Sequence, residues 1–578
     1  MKSVFALALT GTLLACAPAA QPAAPKGDAA AIHGDNYSAL VSAAHPEAAR
    51  AGEEILRAGG SAADAALAVL VALTVVEPQS SGIGGGGFLI YHDAESGRTY
   101  ALDGRETAPR AATPTMFLDE NGEPKDYRAS QMGGMSVGIP GNIRLMEQAH
   151  KRFGKLPWSR VFQPAIRLAR DGWDMTPRLH QMLDGRKDRA GLTEWGRATF
   201  YTAGDMPKPV GTRLTNPALA SFLERVATGG PNEFYYGRSA RRIVDAVTNA
   251  SVNPQVMTTA DLSDYAAKWR DPLCGTYREY KVCGMPPPSS GGTTVIAMLK
   301  QLERFDLASM GPDDPDSWHV IAESMRLAFA DREKYLGDPD FVNVPAEGLI
   351  SPAYTAQRGM RINIGKAATE VSAGTPIGAP DVALASSPDD GGTSHFAIAD
   401  RDGDVVSLTS TIESVWGSGL TANGYFLNNE LTDFSFQPVV DDLPAANAAA
   451  PGKRPRSSMS PTIVYAPSGE VAFAIGAAGG PTIIAQTAKA IIGVIDWNMS
   501  IDEAIAAPQL YAALGPTVIE ADTAIADFEA GLKAKGHEVR VSSLPLKANG
   551  VQRRGRGWIG GADPRGEGEV AGIRAGIR

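Results

Sequence analysis

Three consecutive residues, Gly391-Gly392-Thr393, offer the most direct route to chemistry in this chain. A threonine hydroxyl is a poor nucleophile unless a base lies beside it, and the α-amine of an N-terminal threonine is such a base. An α-amine titrates at about pH 8, so this scheme needs no histidine. Two glycines before the threonine allow the backbone to bend until the hydroxyl reaches the preceding carbonyl. The sequence therefore offers cleavage between Gly392 and Thr393, followed by catalysis at Thr393.

The same tripeptide has an ordinary interpretation, since Gly-Gly-Thr is typical of a turn that leads into a strand. The sequence contains no H-E-x-x-H or Walker A pattern. The eight histidines do not form a metal-like cluster. An enzyme with this sequence would need a different nucleophile, and we expect no metal and no cofactor.

The residues around the tripeptide predict how it is presented. Residues 365–390 are polar, rich in Ala, Ser and Pro and without periodicity, which is typical of a functional or disordered segment. Residues 393–399 and 405–412 have the pattern of two strands with an Asp-Gly turn between them. We therefore expect Thr393 at the start of the first strand of a pair.

The rest of the chain supplies helices and further strands. Helices are predicted at residues 46–56, 65–76 and 482–492, and strands at residues 88–91, 99–102, 462–465 and 471–475. Residues 61–64 have the pattern of a capped start for the second helix. Strand pairs with apolar helices indicate a layered α/β or α+β domain.

A glycine-rich segment between the second helix and the next strand forms the pattern G-x-G-x-x-G with Gly82, Gly84 and Gly87. A dinucleotide-binding fold needs a strand before this pattern and a helix after it. Here the order is reversed, so we reject nucleotide binding.

The N-terminus indicates export. Residues 4–15 form an apolar run that is too short for a membrane span, which needs about 20 residues, and that fits a signal peptide. The run ends at Leu13-Leu14-Ala15-Cys16, which resembles a bacterial lipobox. We expect residues 1–15 to be a signal peptide, Cys16 to be lipidated and residues 16–34 to be a flexible tether to a membrane, with the protein in the periplasm. The alternative is a plain signal peptide with a chance cysteine.

Cys274 and Cys283 are the two remaining cysteines, and they flank a hairpin predicted around Arg278-Glu279. In such a hairpin they face each other, and an exported chain permits a disulfide between them. Two free buried thiols are the alternative, because the strand register is not visible in the sequence.

Composition and charge exclude little except nucleic acid as a partner. The 578 residues are 44% hydrophobic and 20% charged, as in ordinary globular proteins. The net charge is −10 with interspersed signs, which does not favour nucleic-acid binding. Any membrane contact is expected through the lipid anchor only.

Several long stretches together resemble one known family. They comprise residues 78–88, 102–109, 285–292, 393–402, 427–435, 453–462 and 561–565. Across His45 to Ile573 the chain is similar to the γ-glutamyltranspeptidase family of N-terminal nucleophile hydrolases. The resemblance implies an α+β fold, a four-layer αββα sandwich formed by two autoproteolytic fragments. Residues 35–392 would be the large subunit and residues 393–578 the small subunit.

The resemblance also implies a role for individual residues. Thr393 resembles the nucleophile, and Thr411 resembles the threonine that supports it. Gly479 and Gly480 resemble the backbone N–H pair of an oxyanion hole, which suits acyl transfer.

A second set of residues resembles the substrate-binding site. Arg105, Ser457 and Ser458 would hold the α-carboxylate of a glutamyl group, and Glu430 and Asp433 would hold its α-ammonium. A group with both charges on one carbon needs a cationic and an anionic wall. The alternatives are a loop salt bridge for Arg105 and a turn cap for Asp433.

The implied activity is cleavage of γ-glutamyl amides such as glutathione, with water, amino acids or peptides as acceptors of the γ-glutamyl group. Two departures leave the substrate open. Glu413 stands where relatives often carry Asn, and residues 436–451 are shorter than the usual active-site lid and lack its tyrosine. Alternatives are a family member that acts on glutaryl-type acyl groups or poly-γ-glutamate, or an unprocessed binding lipoprotein.

Overall fold

The computed structural model describes residues 36–385 and 391–575. The expectations for residues 1–15, for Cys16 and for residues 16–34 lie outside these ranges. Within the two ranges, no helix combines the length and the apolar composition that a membrane span requires.

In these ranges the strands are β1 (Tyr37–Ala43), β2 (Gly86–Asp93), β3 (Arg98–Gly104), β4 (Trp173–Asp174), β5 (Arg213–Leu214), β6 (Lys268–Arg270), β7 (Leu273–Tyr277), β8 (Tyr280–Gly284), β9 (Gly392–Ala399), β10 (Val405–Glu413), β11 (Thr421–Ala422), β12 (Tyr425–Phe426), β13 (Val439–Val440), β14 (Leu443–Pro444), β15 (Thr462–Tyr465), β16 (Val471–Ala478), β17 (Leu510–Tyr511), β18 (Thr517–Glu520), β19 (Val539–Ser542), β20 (Lys547–Arg554), β21 (Gly557–Ala562) and β22 (Glu569–Arg574).

The α-helices are α1 (Pro46–Arg57), α2 (Ala62–Val76), α3 (Tyr127–Ser130), α4 (Asn142–Phe153), α5 (Trp158–Val161), α6 (Gln163–Asp171), α7 (Pro177–Leu183), α8 (Lys187–Ala190), α9 (Glu194–Phe200), α10 (Pro217–Gly229), α11 (Asn232–Tyr235), α12 (Gly237–Thr248), α13 (Thr259–Ser263), α14 (Gly291–Leu302), α15 (Leu307–Met310), α16 (Pro315–Tyr335), α17 (Ala346–Leu349), α18 (Pro352–Gly359), α19 (Thr482–Ile495), α20 (Ile501–Ala506) and α21 (Glu529–Ala534). Short 3-10 helices span Gly134–Ser136, Glu430–Asp433 and Ala524–Phe528.

One large antiparallel sheet organises these elements. Its strand order is β6-β3-β2-β10-β9-β1-β21-β20-β16-β15-β8-β7, and β22 also pairs with β1. The link between β1 and β21 is a single residue pair, Tyr37 with Trp558, so the sheet has two runs that are nearly separate. β9 of the first run also contacts β16 and β20 of the second, with which it forms no ladder.

Strand β9 is buried on both faces because its alternate residues enter two different apolar clusters. Phe396 and Ile398 pack in the cluster that contains α2. Ala397 and Ala399 pack in the cluster that contains α14 and α19. Successive side chains of a strand point to opposite faces, so β9 lies between α2 on one side and β16 and β20 on the other.

Helix α2 forms where a capped, apolar run was predicted. The Ser61 hydroxyl accepts from the N–H of Asp64, and the Asp64 carboxylate accepts from the N–H of Ser61, which satisfies two N-terminal donors. The helix begins at Ala62, directly after the predicted cap, and all its residues are buried.

The glycines after α2 serve close backbone packing, in agreement with the rejection of a nucleotide site. A Cβ on Gly84 would lie 1.9 Å from the carbonyl oxygen of Phe426, and one on Gly85 would lie 1.9 Å from that of Thr411. The segment therefore presses directly against the end of β10, where Thr411 lies.

The predicted hairpin around Arg278-Glu279 is formed by β7 and β8. Cys274 and Cys283 are directly opposite each other in its register and are joined by a disulfide.

We expect Gly85→Ala to lower the melting temperature by several degrees, because the new Cβ must displace the backbone of Thr411. Gly515→Ala is the matched control, since a Cβ there would meet no atom within 4 Å. Thermal unfolding of the two variants checks this expectation. Equal melting temperatures would show that the contact at Gly85 relaxes without cost.

Candidate active site

The candidate nucleophile lies in the ladder between β9 and β10, where Thr393 pairs directly with Thr411. The Thr393 hydroxyl donates to Oγ1 of Thr411 over 3.2 Å. The Thr411 hydroxyl in turn donates to the carbonyl oxygen of Gly392 over 2.6 Å. This arrangement orients the Thr393 oxygen and polarises the carbonyl that precedes it.

Gly392 is required by packing as well as by flexibility. A Cβ at this position would lie 2.4 Å from the carbonyl oxygen of Glu413. The ladder is irregular between Thr411 and Glu413, and Glu413 has a φ of +72°. The bulge brings the end of β10 over Gly392 and re-aims the Glu413 side chain.

The two candidate oxyanion glycines form the turn between β16 and α19. Gly479 has a φ of +123° and Gly480 a φ of +59°, which other residues adopt at a cost. A Cβ on Gly479 would lie 1.9 Å from the carbonyl oxygen of Pro545. Gly391 lies beside this turn, with the site of its absent Cβ 3.7 Å from Cα of Gly479. The glycine turn therefore adjoins the segment that leads into Thr393.

A small cavity collects the residues that sequence reasoning proposed from distant parts of the chain. It is lined by Arg105, Thr393, Thr411, Glu413, Glu430, Asp433, Ser457, Ser458, Met459, Gly480 and Ile483. Of the proposed catalytic and substrate-binding residues, only Gly479 is not part of this lining.

Arg105 is fully buried and joins the two walls of the cavity. Its guanidinium donates to the carboxylates of both Glu430 and Asp433. It also donates to the backbone carbonyls of Pro455, over 3.1 Å, and Arg456, over 2.9 Å. The cationic and anionic walls expected from the sequence are therefore in direct contact. Arg105 therefore forms salt bridges, as the alternative interpretation expected, and it also lines the cavity.

The acidic residues near Arg105 carry perturbed pKa values. Burial raises the pKa of Glu106 to about 7, although the Arg105 guanidinium lowers it. Burial also raises the pKa of Glu430 well above its ordinary value, again against the effect of Arg105, and neighbouring carboxylates add to the rise. The cluster has more carboxyl groups than one guanidinium can neutralise, which favours a cation as ligand.

Glu413 is buried in the cavity wall and contacts polar groups. Its carboxylate accepts from the hydroxyl of Ser414 and the amide of Asn429, and it lies 3.5 Å from the hydroxyl of Tyr127. The structure therefore places it beside Glu430, as the resemblance implied.

Ser457 and Ser458 are held by the segment before α14 and by α16. The carbonyl oxygen of Ser457 accepts from both the N–H and the hydroxyl of Ser290. The guanidinium of Arg332 donates to the Ser458 hydroxyl over 2.7 Å. The two serines thus form a fixed part of the cavity wall.

Sequence reasoning missed four residues of this site: Glu106, Asn429, Met459 and Ile483. The first three lie inside the family-like stretches, next to residues that were proposed, so their neighbours were the available signal. Ile483 follows the glycine turn in a helix of ordinary apolar pattern, which gave no signal.

The described residues contain no group of three or more His, Cys, Asp or Glu that could hold a metal ion.

Comparison with known proteins gives consistent matches along the chain. A family model described as gamma-glutamyltranspeptidase matches residues 48–573. The chain is 35% identical over 517 residues to the glutathione hydrolase proenzyme of Bacillus subtilis (strain 168), covering 88% of this chain and 86% of that protein. It is 37% identical over 510 residues to the acylase ACY 1 proenzyme of Pseudomonas sp. (strain SE83), covering 86% and 87%. The solved structure of cephalosporin acylase from Bacillus halodurans matches with a TM-score of 0.83 at 26% identity, covering 97% and 100%.

Glu106 generates a prediction about pH. Its folded-state pKa of about 7 lies above the ordinary 4.5, so its contribution to stability is full below about pH 4.5 and is lost as the pH rises through 7. Glu106→Gln removes this titration. We expect the melting temperature of the wild type, relative to that of the variant, to fall between pH 5 and pH 8. If the melting temperatures of the wild type and of Glu106→Gln differ by the same amount at every pH in this range, the raised pKa of Glu106 is contradicted.

Proposed function

We propose, because this chain belongs to the γ-glutamyltranspeptidase family, that it cuts itself before Thr393 and then hydrolyses or transfers the γ-glutamyl group of amides such as glutathione. The observation that carries the proposal is the hydrogen-bonded chain from Thr393 through Thr411 to the carbonyl of Gly392, at the edge of a cavity with both charges.

Self-cleavage uses the polarised carbonyl. The Thr393 oxygen attacks the carbonyl carbon of Gly392 and the C–N bond breaks. The proton of the Thr393 hydroxyl passes to the nitrogen, which leaves an ester and a free α-amine. Thr411 donates to the carbonyl oxygen, which gains negative charge during the attack. Water then hydrolyses the ester, and Thr393 becomes the N-terminus of the small subunit.

Turnover repeats this chemistry on the substrate. The α-amine of Thr393 takes the proton of its own hydroxyl while the oxygen attacks the γ-carbonyl, and it then passes the proton to the leaving amine. In this proposal the N–H groups of Gly479 and Gly480 stabilise the oxyanion, the role that the family resemblance implies for them. Water or an amine then releases the γ-glutamyl group from the ester.

Recognition exchanges the internal ion pairs for ion pairs with the substrate. The α-carboxylate of the glutamyl group binds Arg105 with Ser457 and Ser458, and the α-ammonium binds Glu430 and Asp433. Leaving any of these buried charges unpaired would cost several kcal/mol, and Arg105 pairs with Glu430 and Asp433 across the cavity. A substrate that carries both a carboxylate and an ammonium replaces both internal ion pairs together.

The proposal includes the finer points of architecture and location. We infer a four-layer αββα sandwich, supported by the two runs of the sheet and by the two apolar clusters that meet at β9. The subunits are residues 35–392 and 393–578. Export by residues 1–15 and lipid anchoring at Cys16 in the periplasm remain proposals from the sequence.

A second candidate is hydrolysis of glutaryl-type amides, which lack the α-ammonium. The likeness to an acylase and a cephalosporin acylase, together with the short segment at residues 436–451, favours it. The ratio of kcat/KM for γ-glutamyl and glutaryl nitroanilides decides between the candidates. A ratio above one supports the γ-glutamyl activity.

The proposed function predicts how the chain matures. The wild type should give a small fragment that begins at Thr393, with a mass of about 20 kDa from its share of the chain. Thr393→Ala should remain one uncut band, because the attacking oxygen is gone. Denaturing gels and N-terminal sequencing check this. A fragment that begins at another residue would refute the proposal.

The proposed function also predicts the effect of a substitution at Arg105. Arg105→Lys keeps the charge, but a single ammonium cannot reach the partners of both guanidinium ends. We expect kcat/KM to fall at least about tenfold, or about 1.4 kcal/mol, with self-cleavage intact. Arg110→Lys is the control, because Arg110 is an exposed arginine paired with Asp264. Equal kinetics of the two variants would remove Arg105 from substrate binding.

A further inference from the structure

The back of the nucleophile strand carries a second polar pair. Thr393 and Thr411 face the cavity, and the next pair in the same ladder, Ser394 with Ser410, points to the opposite face, toward α2. Both serines are fully buried. Buried hydroxyl groups need partners, so this face should contain a polar network.

Glu77 is the centre of that network. The Ser394 hydroxyl donates to Oε2 of Glu77, and the Lys547 ammonium donates to Oε1 over 2.5 Å. The Ser81 hydroxyl donates to Oγ of Ser394 over 3.0 Å. All four side chains are at most 5% exposed. The network lies directly behind Thr393 and takes no part in the chemistry described above.

The other serine is held in the same manner. The side-chain amide of Asn142 donates to Oγ of Ser410 over 3.0 Å and to the carbonyl oxygen of Gly82 over 2.7 Å. Each threonine of the catalytic pair therefore has a neighbour that is fixed to the segment after α2.

Stability alone is a weak reason for this ion pair. Burial lowers the pKa of Lys547, although the Glu77 carboxylate raises it, so the ammonium is held at a cost. Apolar residues of similar volume often replace a buried ion pair without loss of stability. Directed hydrogen bonds do provide register, because a slip of one residue would turn Thr393 toward α2 and Ser394 into the cavity.

Glu77 also connects the nucleophile with the oxyanion turn. It follows the last residue of α2, Ser394 lies in β9, and Lys547 is the first residue of β20. Two residues before Lys547, the carbonyl oxygen of Pro545 closes against Gly479. One carboxylate thus ties the strand of Thr393 to the chain that supports Gly479.

We propose that Glu77 is a positioning residue, which through Ser394 and Lys547 holds the Thr393 oxygen in line with Gly479 and Gly480. The inference rests on the proposed function. It affects every step in which Thr393 attacks, both self-cleavage and turnover. It leaves substrate binding alone, because the network does not contact Arg105, Glu430 or Asp433 in the described residues.

The test begins with Ser394→Ala, which removes one hydroxyl and keeps the Glu77–Lys547 pair. We expect kcat per active site, counted from the burst of nitroaniline, to fall about tenfold, and the half-time of self-cleavage to rise similarly. KM should stay within about twofold. Ser42→Ala is the matched control: this buried hydroxyl donates to the carbonyl of Gly561 over 2.6 Å and should leave kcat unchanged.

A second variant tests the carboxylate of Glu77 and the ammonium of Lys547 directly. Glu77→Met with Lys547→Met removes both charges together, so no buried charge is left unpaired. We expect the same loss of kcat as in Ser394→Ala, and no further loss in the triple variant, because all three changes break one connection.

The outcomes separate the inference from the function. A wild type that neither cleaves itself nor releases nitroaniline would contradict the proposed function. An active wild type with unchanged kcat in Ser394→Ala, or with equal losses in Ser394→Ala and Ser42→Ala, would overturn the role of Glu77. Additive losses in the triple variant would also overturn it.

Discussion

The structure depends on one residue pair in an antiparallel ladder, Thr393 opposite Thr411. This register puts two hydroxyl groups within hydrogen-bond distance and directs the second to the carbonyl of Gly392. Gly85 and Gly392 each have backbone of β10 where a Cβ would stand, so neither contact tolerates a larger residue without movement. The register of this ladder sets the geometry for attack.

The cavity beside this ladder has a different physical character, since it is a cluster of buried charges. Arg105 lies between Glu430 and Asp433, and Glu106 adds a further buried carboxyl group. Burying such a cluster of charges costs desolvation free energy, and few ligands can pair with all of its charges. A ligand with a carboxylate and an ammonium on one carbon can take over both kinds of contact, whereas a ligand with one charge leaves part of the cluster unpaired.

Local patterns predicted the elements well, and the reasons are visible in single residues. The capping pair Ser61 and Asp64 begins α2 where a capped start was expected, and the alternation after Thr393 gave β9 and β10. The assembly of the site is another matter. Arg105 and Glu430 are 325 residues apart, and only resemblance to a family suggested that they share a cavity.

Contacts with no local signature were out of reach of the sequence. Resemblance assigned Arg105 and Glu430 to opposite walls of the site, but nothing in the sequence indicated that they pair with each other. The same holds for Glu77, whose partners Ser394 and Lys547 come from strands far along the chain. Such pairs depend on tertiary packing, which composition and periodicity do not encode.

The position of β1 has a consequence for how the chain is connected. β1 lies between β9 and β22, so an N-terminal strand is enclosed by two strands from residues 392–574. At the same edge, the N–H of Ala575 donates to the carbonyl of Asn36 over 2.8 Å. The two ends of the described fold therefore touch. A circular permutant that joins these ends and opens the chain between Gly392 and Thr393 would keep every ladder of the sheet. Removal of its initiator methionine would expose the α-amine of Thr393 without self-cleavage.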